Sequence, residues 1–341
     1  MKFVIDAFGG DNAPKEIVRG AVTSVNLLED VSLVLAGDEE KIKNELNEIG
    51  YNGDKIEILH APEVIGFNES PTMAIRQKKN SSLVAGLSAL KEREDLDAFI
   101  SLGSTGAVLA GGLFIVGRMK GVLRPTLASI MPNSKGTKSL LIDCGANVDC
   151  KPEYLYQFAK MGVAYIKSQE KIENPSVALL SVGTEDHKGN ALTLEAFKLL
   201  KEDASLNFVG NMEARDILSG NYDVIVCDGF AGNVALKSIE GAVKFLLGEI
   251  KSEIKNGSLF AKLGASMLKK SFKNIRRRLD YEAIGSPFIG VSKLVLKGHG
   301  SGNAKTIYSL VCQARELTIN HTLNEIENST KTIEGETDGN K

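Results

Sequence analysis

Eight short apolar runs, each closing on glycine, aspartate or histidine, constrain this chain more than any other feature. They occupy residues 3–6, 32–37, 56–60, 98–103, 139–145, 176–183, 222–229 and 293–298. The runs do not alternate with polar residues, so they read as strands buried on both faces. Helical patterns lie between most of them, at 13–28, 71–93, 152–170, 190–201 and 232–254. Strand and helix in alternation predict an α/β fold: a three-layer α/β/α sandwich around a mostly parallel sheet. The sequence holds no internal repeat. Residues 1–323 read as a single catalytic-sized domain with a helical protrusion at about 240–285. Residues 324–341 lack apolar periodicity and read as a disordered polar tail.

Composition excludes several classes. With 41 basic and 43 acidic residues the net charge is -2, which rules out a uniformly basic nucleic-acid binder. Cys144, Cys150, Cys227 and Cys312 form no CxxC pair, so neither a disulfide framework nor a structural zinc site is expected. The N-terminus lacks the apolar stretch of a signal peptide. Residues 98–117 are uncharged and long enough to span a bilayer. They carry five glycines plus Ser101, Ser104 and Thr105, and so read as strand, turn and helix. The expectation is a reduced, cytoplasmic, soluble protein that needs no cofactor and no metal.

Open α/β sheets bind ligands beyond the carboxyl ends of their strands. Six such ends here carry polar glycine loops. They hold Gly9, Gly10 and Asp11; Ser104, Thr105 and Gly106; Asn147 and Asp149; Lys188 and Asn190; Asp228, Gly232 and Asn233; and His299. Together they are expected to line one cleft on one sheet edge. Backbone N–H groups in such loops hold phosphate. The chain has no Walker A loop, no GxGxxG after its first strand, no GxSxG and no HExxH, so bound phosphate reads as substrate rather than nucleotide tail.

Three residues stand out as catalytic candidates. Lys188, between a strand end and a helix start, could hold phosphate or a carbonyl oxygen; the plainer alternative is a solvated turn lysine. Asn233 could donate to an oxyanion or simply cap a helix. His299, between Gly298 and Gly300, could donate to phosphate or serve only its loop. Asp6, Asp11, Asp143, Asp149 and Asp228 could orient lysines or bind a metal, but caps and turns explain most of them; Asn147 and Asp149 are the better candidates to line the cleft, and Cys144 and Cys227 read as buried small hydrophobes. Arg76, Lys78 and Lys79 could dock an acidic partner or face solvent.

Residues 255–279 contain eight basic residues and no acidic one. Wound as one helix, Lys262, Lys269, Lys273, Arg276 and Arg277 share an arc opposite Leu263, Met267, Leu268, Phe272, Ile275 and Leu279. Gly257 and Gly264 point to a break. Such a segment can meet an anionic membrane, an acidic protein or a dimer mate.

The blocks IDAFGGDNAPKEIVRGA, ESPTMAIRQKKNSSL, SLGSTGAVLAG, LIDCGANVDC, SVGTEDHKGN, NFVGNMEARDI, VIVCDGFAGNVALK and KGHGSGNAK, in this order from Lys2 to about Arg315, resemble those of the PlsX-type phosphate acyltransferases. The chain departs from the family pattern at Phe8, Ser104, Ala214 and Ser301-Gly302. The resemblance implies a phosphotransacetylase-like sandwich, a homodimer, and transfer of a fatty acyl group from acyl carrier protein to inorganic phosphate for phospholipid synthesis. A later acyltransferase would consume the product, and the enzyme would sit in the cytoplasm, peripherally at the inner face of the cell membrane. Two rivals remain on the residues alone: a dinucleotide-dependent dehydrogenase and a non-catalytic lipid or carrier-protein binding module.

Overall fold

The computed structural model describes residues 1–279 and 284–337. Among the described residues eleven strands form one sheet: β1 (Lys2–Asp6), β2 (Ser32–Gly37), β3 (Ile56–His60), β4 (Ala98–Ser101), β5 (Thr126–Pro132), β6 (Lys138–Ile142), β7 (Ser176–Ser181), β8 (Asn207–Glu213), β9 (Val224–Val226), β10 (Ser286–Ile289) and β11 (Leu294–Lys297). Their order is β3-β2-β1-β4-β11-β10-β5-β6-β9-β7-β8. Helices cover both faces: α1 (Lys15–Leu27), α2 (Glu39–Ile49), α3 (Pro71–Gln77), α4 (Ser82–Glu92), α5 (Thr105–Gly111), α6 (Pro152–Glu170), α7 (Ala191–Glu202), α8 (Gly229–Asn256), α9 (Leu259–Met267), α10 (Lys269–Arg278), α11 (Ala304–Ile319) and α12 (Thr322–Thr337). This is the three-layer sandwich with a mostly parallel sheet.

The sheet is less uniform than the apolar runs imply. Three successive pairings, β11 with β10, β10 with β5 and β5 with β6, are antiparallel. Strand direction therefore reverses across the middle. β6, β9, β7 and β8 run opposite to β1, β2, β3, β4 and β11. The six polar loops consequently leave the sheet at two opposite edges, and the expectation of one shared edge is corrected. β5, β8 and β10 escaped the apolar pattern because each mixes in polar residues, glycine or proline. The helical pattern at 71–93 divides into α3 and α4, where the Ser81 side chain caps α4 by accepting from the Val84 N–H.

The faces of the sheet differ. On one face a single core cluster runs through both halves, taking in Phe3, Ile5, Leu296, Leu140 and Ile142 beneath α1, α6 and α11. On the other face the core is split. Val4, Phe99 and Val295 pack with α4 and α5, whereas Leu141, Ile225 and Met212 pack with Leu236 of α8. Side chains alternate along a strand, so residues two positions on share a face. Asp6, Ser101 and Lys297 follow Val4, Phe99 and Val295 by two and lie at the margin of the first cluster. Asp143 follows Leu141 by two and lies at the margin of the second. The split is where polar groups collect.

The polar segment from residue 324 is not a loose tail as far as it is described. It belongs to α12, whose start packs on α6, with Ile326 only 2% exposed and Thr330 buried. Residues 338–341 lie outside the described residues. The protrusion is helical: beyond Leu236 no residue of α8 is buried, and α9 and α10 extend from it. Gly257 ends α8, but Gly264 lies inside α9; the second break falls at Leu268 instead. The arc drawn for one continuous helix is therefore divided between α9, with Leu263 and Met267, and α10, with Lys269 and Lys273. The side chains of Arg276 and Arg277 lie outside the described residues.

Candidate functional site

At the first edge, the loop after β1 is tied to the loops after β4 and β11. Asp11 N–H donates to the Gly300 carbonyl at 2.8 Å, and the Asn12 amide donates to the carbonyls of Ser301 and Gly302, each at 3.0 Å. Gly9 is required by proximity, since a Cβ there would lie 2.5 Å from the Asp6 carboxylate and 2.8 Å from the Gly103 nitrogen. Gly10 adopts φ 101°, open to glycine at little cost. Asp6 accepts from the Ser101 hydroxyl at 2.7 Å. Burial pushes its carboxyl above the usual carboxylate range.

Ser104 precedes α5 and is buried; Thr105 and Gly106 open that helix, with Gly106 facing Pro71 of α3. His299 is half-buried, its Nδ1 2.9 Å from the Ser301 hydroxyl.

Lys297 was missed by sequence reasoning because it reads as the polar end of an apolar strand. It is only 8% exposed. Its ammonium donates to the Gly298 carbonyl and lies within electrostatic reach of Lys237, Asp6 and Asp11. Burial, seconded by Lys237, lowers its pKa to about 8. Periodicity could not reveal this; the signal was a lysine where a buried strand meets a glycine loop.

At the other edge Asp143 organises the loop after β6. Its carboxylate accepts from the N–H groups of Leu127, Gly145, Ala146 and Asn147 and from the Asn147 side chain, at 2.7–3.2 Å. Burial pushes its carboxyl up and these donors pull it back. Asn147 also donates to the Pro125 carbonyl, so its side chain is committed to the loop. Asp149 is exposed.

α8 starts against this loop. Asp228 caps it, accepting from the Ala231 N–H at 2.9 Å, and Gly229 N–H donates to the Asn147 carbonyl. Gly232 allows the closest approach in the site: a Cβ there would sit 1.8 Å from the Asp143 carbonyl oxygen. Asn233 is thus one turn inside the helix and is not its cap. It is exposed, makes no side-chain hydrogen bond among the described residues, and faces Gly145. Lys237 follows on the same helical face four residues later.

Lys188 sits in the loop between β7 and α7. Its carbonyl accepts from the Ser181 hydroxyl and the Asn211 amide, which also bonds the Glu185 carbonyl. Asn211, on β8, is a second residue that sequence reasoning missed; being buried in an edge strand, it gave no motif of its own. Lys188 is half-buried, and its ammonium has no ion-pair partner among the described residues. Asn190 instead caps α7 in a reciprocal pair with Thr193. A groove of 580 Å³ separates this loop from α8, lined by Leu180, Ile217, Ala231, Val234 and Ala235, with Ser181, Asn190 and Asp228 at its polar rim.

The structure therefore divides the expected site residues. Gly9, Gly10, Asp11 and His299 cluster at one edge; Asn147, Asp228, Gly232 and Asn233 cluster at the other, with Lys188 and Asn190 across the groove. Lys237 of α8 is within electrostatic reach of Lys297 and of Cys144 in the β6 loop. No group of acidic, histidine and cysteine side chains suited to a metal occurs among the described residues. Burial holds the thiols of Cys144 and Cys227 well above their ordinary pKa, and that of Cys150 is raised to about 12. None of these three is a ready nucleophile.

The family model described as fatty acid synthesis protein matches residues 1–324. The chain belongs to that family. Relatives named phosphate acyltransferase include one from Clostridium botulinum, 47% identical over 96% of this chain and 98% of the relative. Another, from Clostridium beijerinckii, is 45% identical over 96% and 98%. A third, from Halothermothrix orenii, is 46% identical over 94% and 95%. Among solved structures, a phosphotransacetylase from Streptococcus pyogenes superposes with a TM-score of 0.59 at 18% identity, covering 98% of this chain and 94% of that one. A branched-chain phosphotransacylase from Enterococcus faecalis gives 0.53 at 13% identity, covering 93% and 99%. At these identities the structural likeness establishes the fold.

Proposed function

We propose that this chain transfers a fatty acyl group from acyl carrier protein to inorganic phosphate, yielding acyl phosphate for phospholipid synthesis. The observation that carries the reading is a polar site with a lysine, Lys188, that has no ion-pair partner among the described residues, in which burial keeps Cys144 and Cys227 as thiols. Such a site suits an acceptor that is itself the nucleophile. The names of the full-length relatives favour phosphate as that acceptor.

Phosphate near neutral pH is anionic and already a competent oxygen nucleophile, and a thioester is an activated acyl donor. One phosphate oxygen attacks the thioester carbonyl carbon, so that a C–O bond forms and the carbonyl oxygen becomes an oxyanion. Collapse re-forms the carbonyl, breaks the C–S bond and releases the carrier thiolate, which takes a proton from solvent. Lys188 and the Asn233 amide stabilise the oxyanion; His299 and the N–H groups of the β1 and β4 loops help place phosphate. Asn147, Asn190 and Asp228 act by shaping the loops.

The protrusion would bring this chemistry to its lipid destination. No helix among the described residues is long and apolar enough to cross a membrane. Yet Phe245 is 69% exposed and Met267 87%, with Leu263 and Leu268 exposed beside Lys269 and Lys273. We assign this surface to peripheral contact with an anionic membrane, with acyl carrier protein or the mate of a homodimer as the other occupants. Phosphate-dependent release of thiol from a purified acyl carrier thioester tests the reaction. Release that is independent of phosphate would mean hydrolysis and would overturn it.

A further inference from the structure

The groove of 580 Å³ beside the loop that carries Lys188 has a lining of one chemical kind. Its volume falls within the range of about 300–1,000 Å³ usual for small-molecule sites. Leu180, at the end of β7, and Ile217 form the floor, and Ala231, Val234, Ala235 and Ile239 form the helix wall. These four positions, at i, i+3, i+4 and i+8, share one face of α8. Leu180, Ala231, Ala235 and Ile239 are half-buried and pack on the margin of the core cluster beneath α8.

The polar side chains around the groove are already committed. The Ser181 hydroxyl donates to the Lys188 carbonyl. Asn190 and Thr193 bond each other at the start of α7. Asp228 caps α8, and Arg215 pairs with Glu213. Ser238 is the one polar side chain of this lining left unbonded among the described residues, and it is exposed. A charged ligand would lose hydration here without gaining a partner, whereas a hydrocarbon has no such loss. Two large apolar side chains also flank the opening in water: Val182, 78% exposed directly after β7, and Val234, 49% exposed on α8. A chain laid across them removes apolar surface from water.

The groove is continuous with the chemistry. A Cβ at Gly183 would lie 3.1 Å from Lys188 Cγ, so the Lys188 stem folds back against the chain leaving β7, next to Val182. Gly189 and Asn190, which follow Lys188, line the groove. An acyl carbonyl held at Lys188 therefore has the apolar walls beside it, and its hydrocarbon chain is the part of the donor that suits them.

We propose that this groove seats the acyl chain of the donor, which enters beside Val182 and lies along α8 toward Ile239, with Ala231 and Ala235 setting how long a chain is accepted. The inference rests on the acyl-transfer reading above and adds its specificity determinants. From Ala231 to Ile239 the helix rises about 12 Å, the span over which each added methylene gains a wall.

The test uses the full-length chain, inorganic phosphate and butyryl, octanoyl or palmitoyl carrier thioesters. In the wild type, kcat/KM should rise by about fourfold for each methylene the groove takes in and level off once it is full. Ala235→Phe should lower the palmitoyl-to-butyryl ratio of kcat/KM by about 100-fold, the worth of roughly three or four methylenes at that increment. A general folding defect would lower both substrates alike. If that variant does not fold, Val234→Asp, at an exposed position, should lower the same ratio by about 10-fold, because it sets a charge against the chain. An unchanged ratio in a folded variant overturns the proposal. An unchanged ratio together with dissociation of the protein in sedimentation overturns it as well, and assigns the groove to a second copy of the chain. A second readout is independent of turnover. The sequence contains no tryptophan, so Val234→Trp places a single fluorophore at the groove, which brominated stearic acid should quench saturably. Saturable quenching without acyl phosphate formation from any thioester would leave the groove standing and remove the acyl-transfer reading. Acyl phosphate formation without quenching would overturn the groove and leave the reaction.

Discussion

Replacing Asn233 with alanine should separate turnover from stability, because the structure assigns the cap of α8 to another residue. Asp228 accepts from the Ala231 N–H, whereas Asn233 is exposed, lies one turn further in and has no side-chain hydrogen bond among the described residues. Alanine is a better helix former than asparagine by roughly 0.5 kcal/mol. Asn233→Ala should therefore melt at the wild-type temperature or slightly above it. If the amide steadies an oxyanion, kcat should fall by about 100-fold, the usual cost of removing one such donor, with little change in KM for phosphate. Asp228→Ala should show the converse. Losing a helix cap costs about 1 kcal/mol, or about 1–2 °C in Tm for a chain this size, with a smaller effect on turnover. Both variants are measured by thermal melting and by steady-state thiol release on the same samples. A well-folded Asn233→Ala protein with near-normal kcat would refute the role.

Lys188→Ala should stay folded and lose about 100-fold in activity, since its ammonium has no ion pair to lose among the described residues; near-normal turnover would remove it from the site. Lys297 should leave a signature in stability against pH: unfolded it titrates at its ordinary 10.5, folded at about 8. Between those values the unfolded chain binds the extra proton, so wild-type stability should rise with pH by up to about 3 kcal/mol relative to Lys297→Met; parallel denaturation curves across that window would contradict the buried cation. Replacing Leu263, Met267 and Leu268 with polar residues should abolish flotation on anionic vesicles and spare soluble activity, and wild-type binding should weaken with salt. Equal wild-type binding to neutral and anionic vesicles would refute membrane attraction, and joint loss of flotation and activity would point to a dimer core.

The buried strands were legible because a strand covered on both faces must be continuously apolar, as 32–37 and 176–181 are. β8 was not, because an edge strand such as NFVGNME keeps polar residues on its open side. The reversal of direction was also invisible. It depends on β5 and β10, of which β10 has only four residues and contains Pro287. Local pattern does not encode which neighbour a short strand pairs with, so the six loops read as one edge. Among site residues, Gly9 and Gly232 were legible since close backbone approach demands glycine. Asn147, Asn190 and Asp228 were recognised as cleft-lining types, but their side chains serve loops and caps, which use the same chemistry as ligand contacts. Lys297 and Asn211 derive their surroundings from strands distant in sequence, and nothing beside them in the chain marks that burial. The helical path of α12 was missed because its few apolar residues, such as Ile326, are enough only with α6 to cover them.

The central claim is best tested by recovering the product. Wild-type protein is incubated with an acyl carrier thioester and radiolabelled inorganic phosphate, and the labelled acyl phosphate is extracted into organic solvent and counted while free thiol is measured in parallel. Acyl phosphate and thiol should appear in equal amounts and rise together with phosphate concentration. Thiol release without labelled acyl phosphate, or acyl transfer that is indifferent to phosphate, would contradict the account.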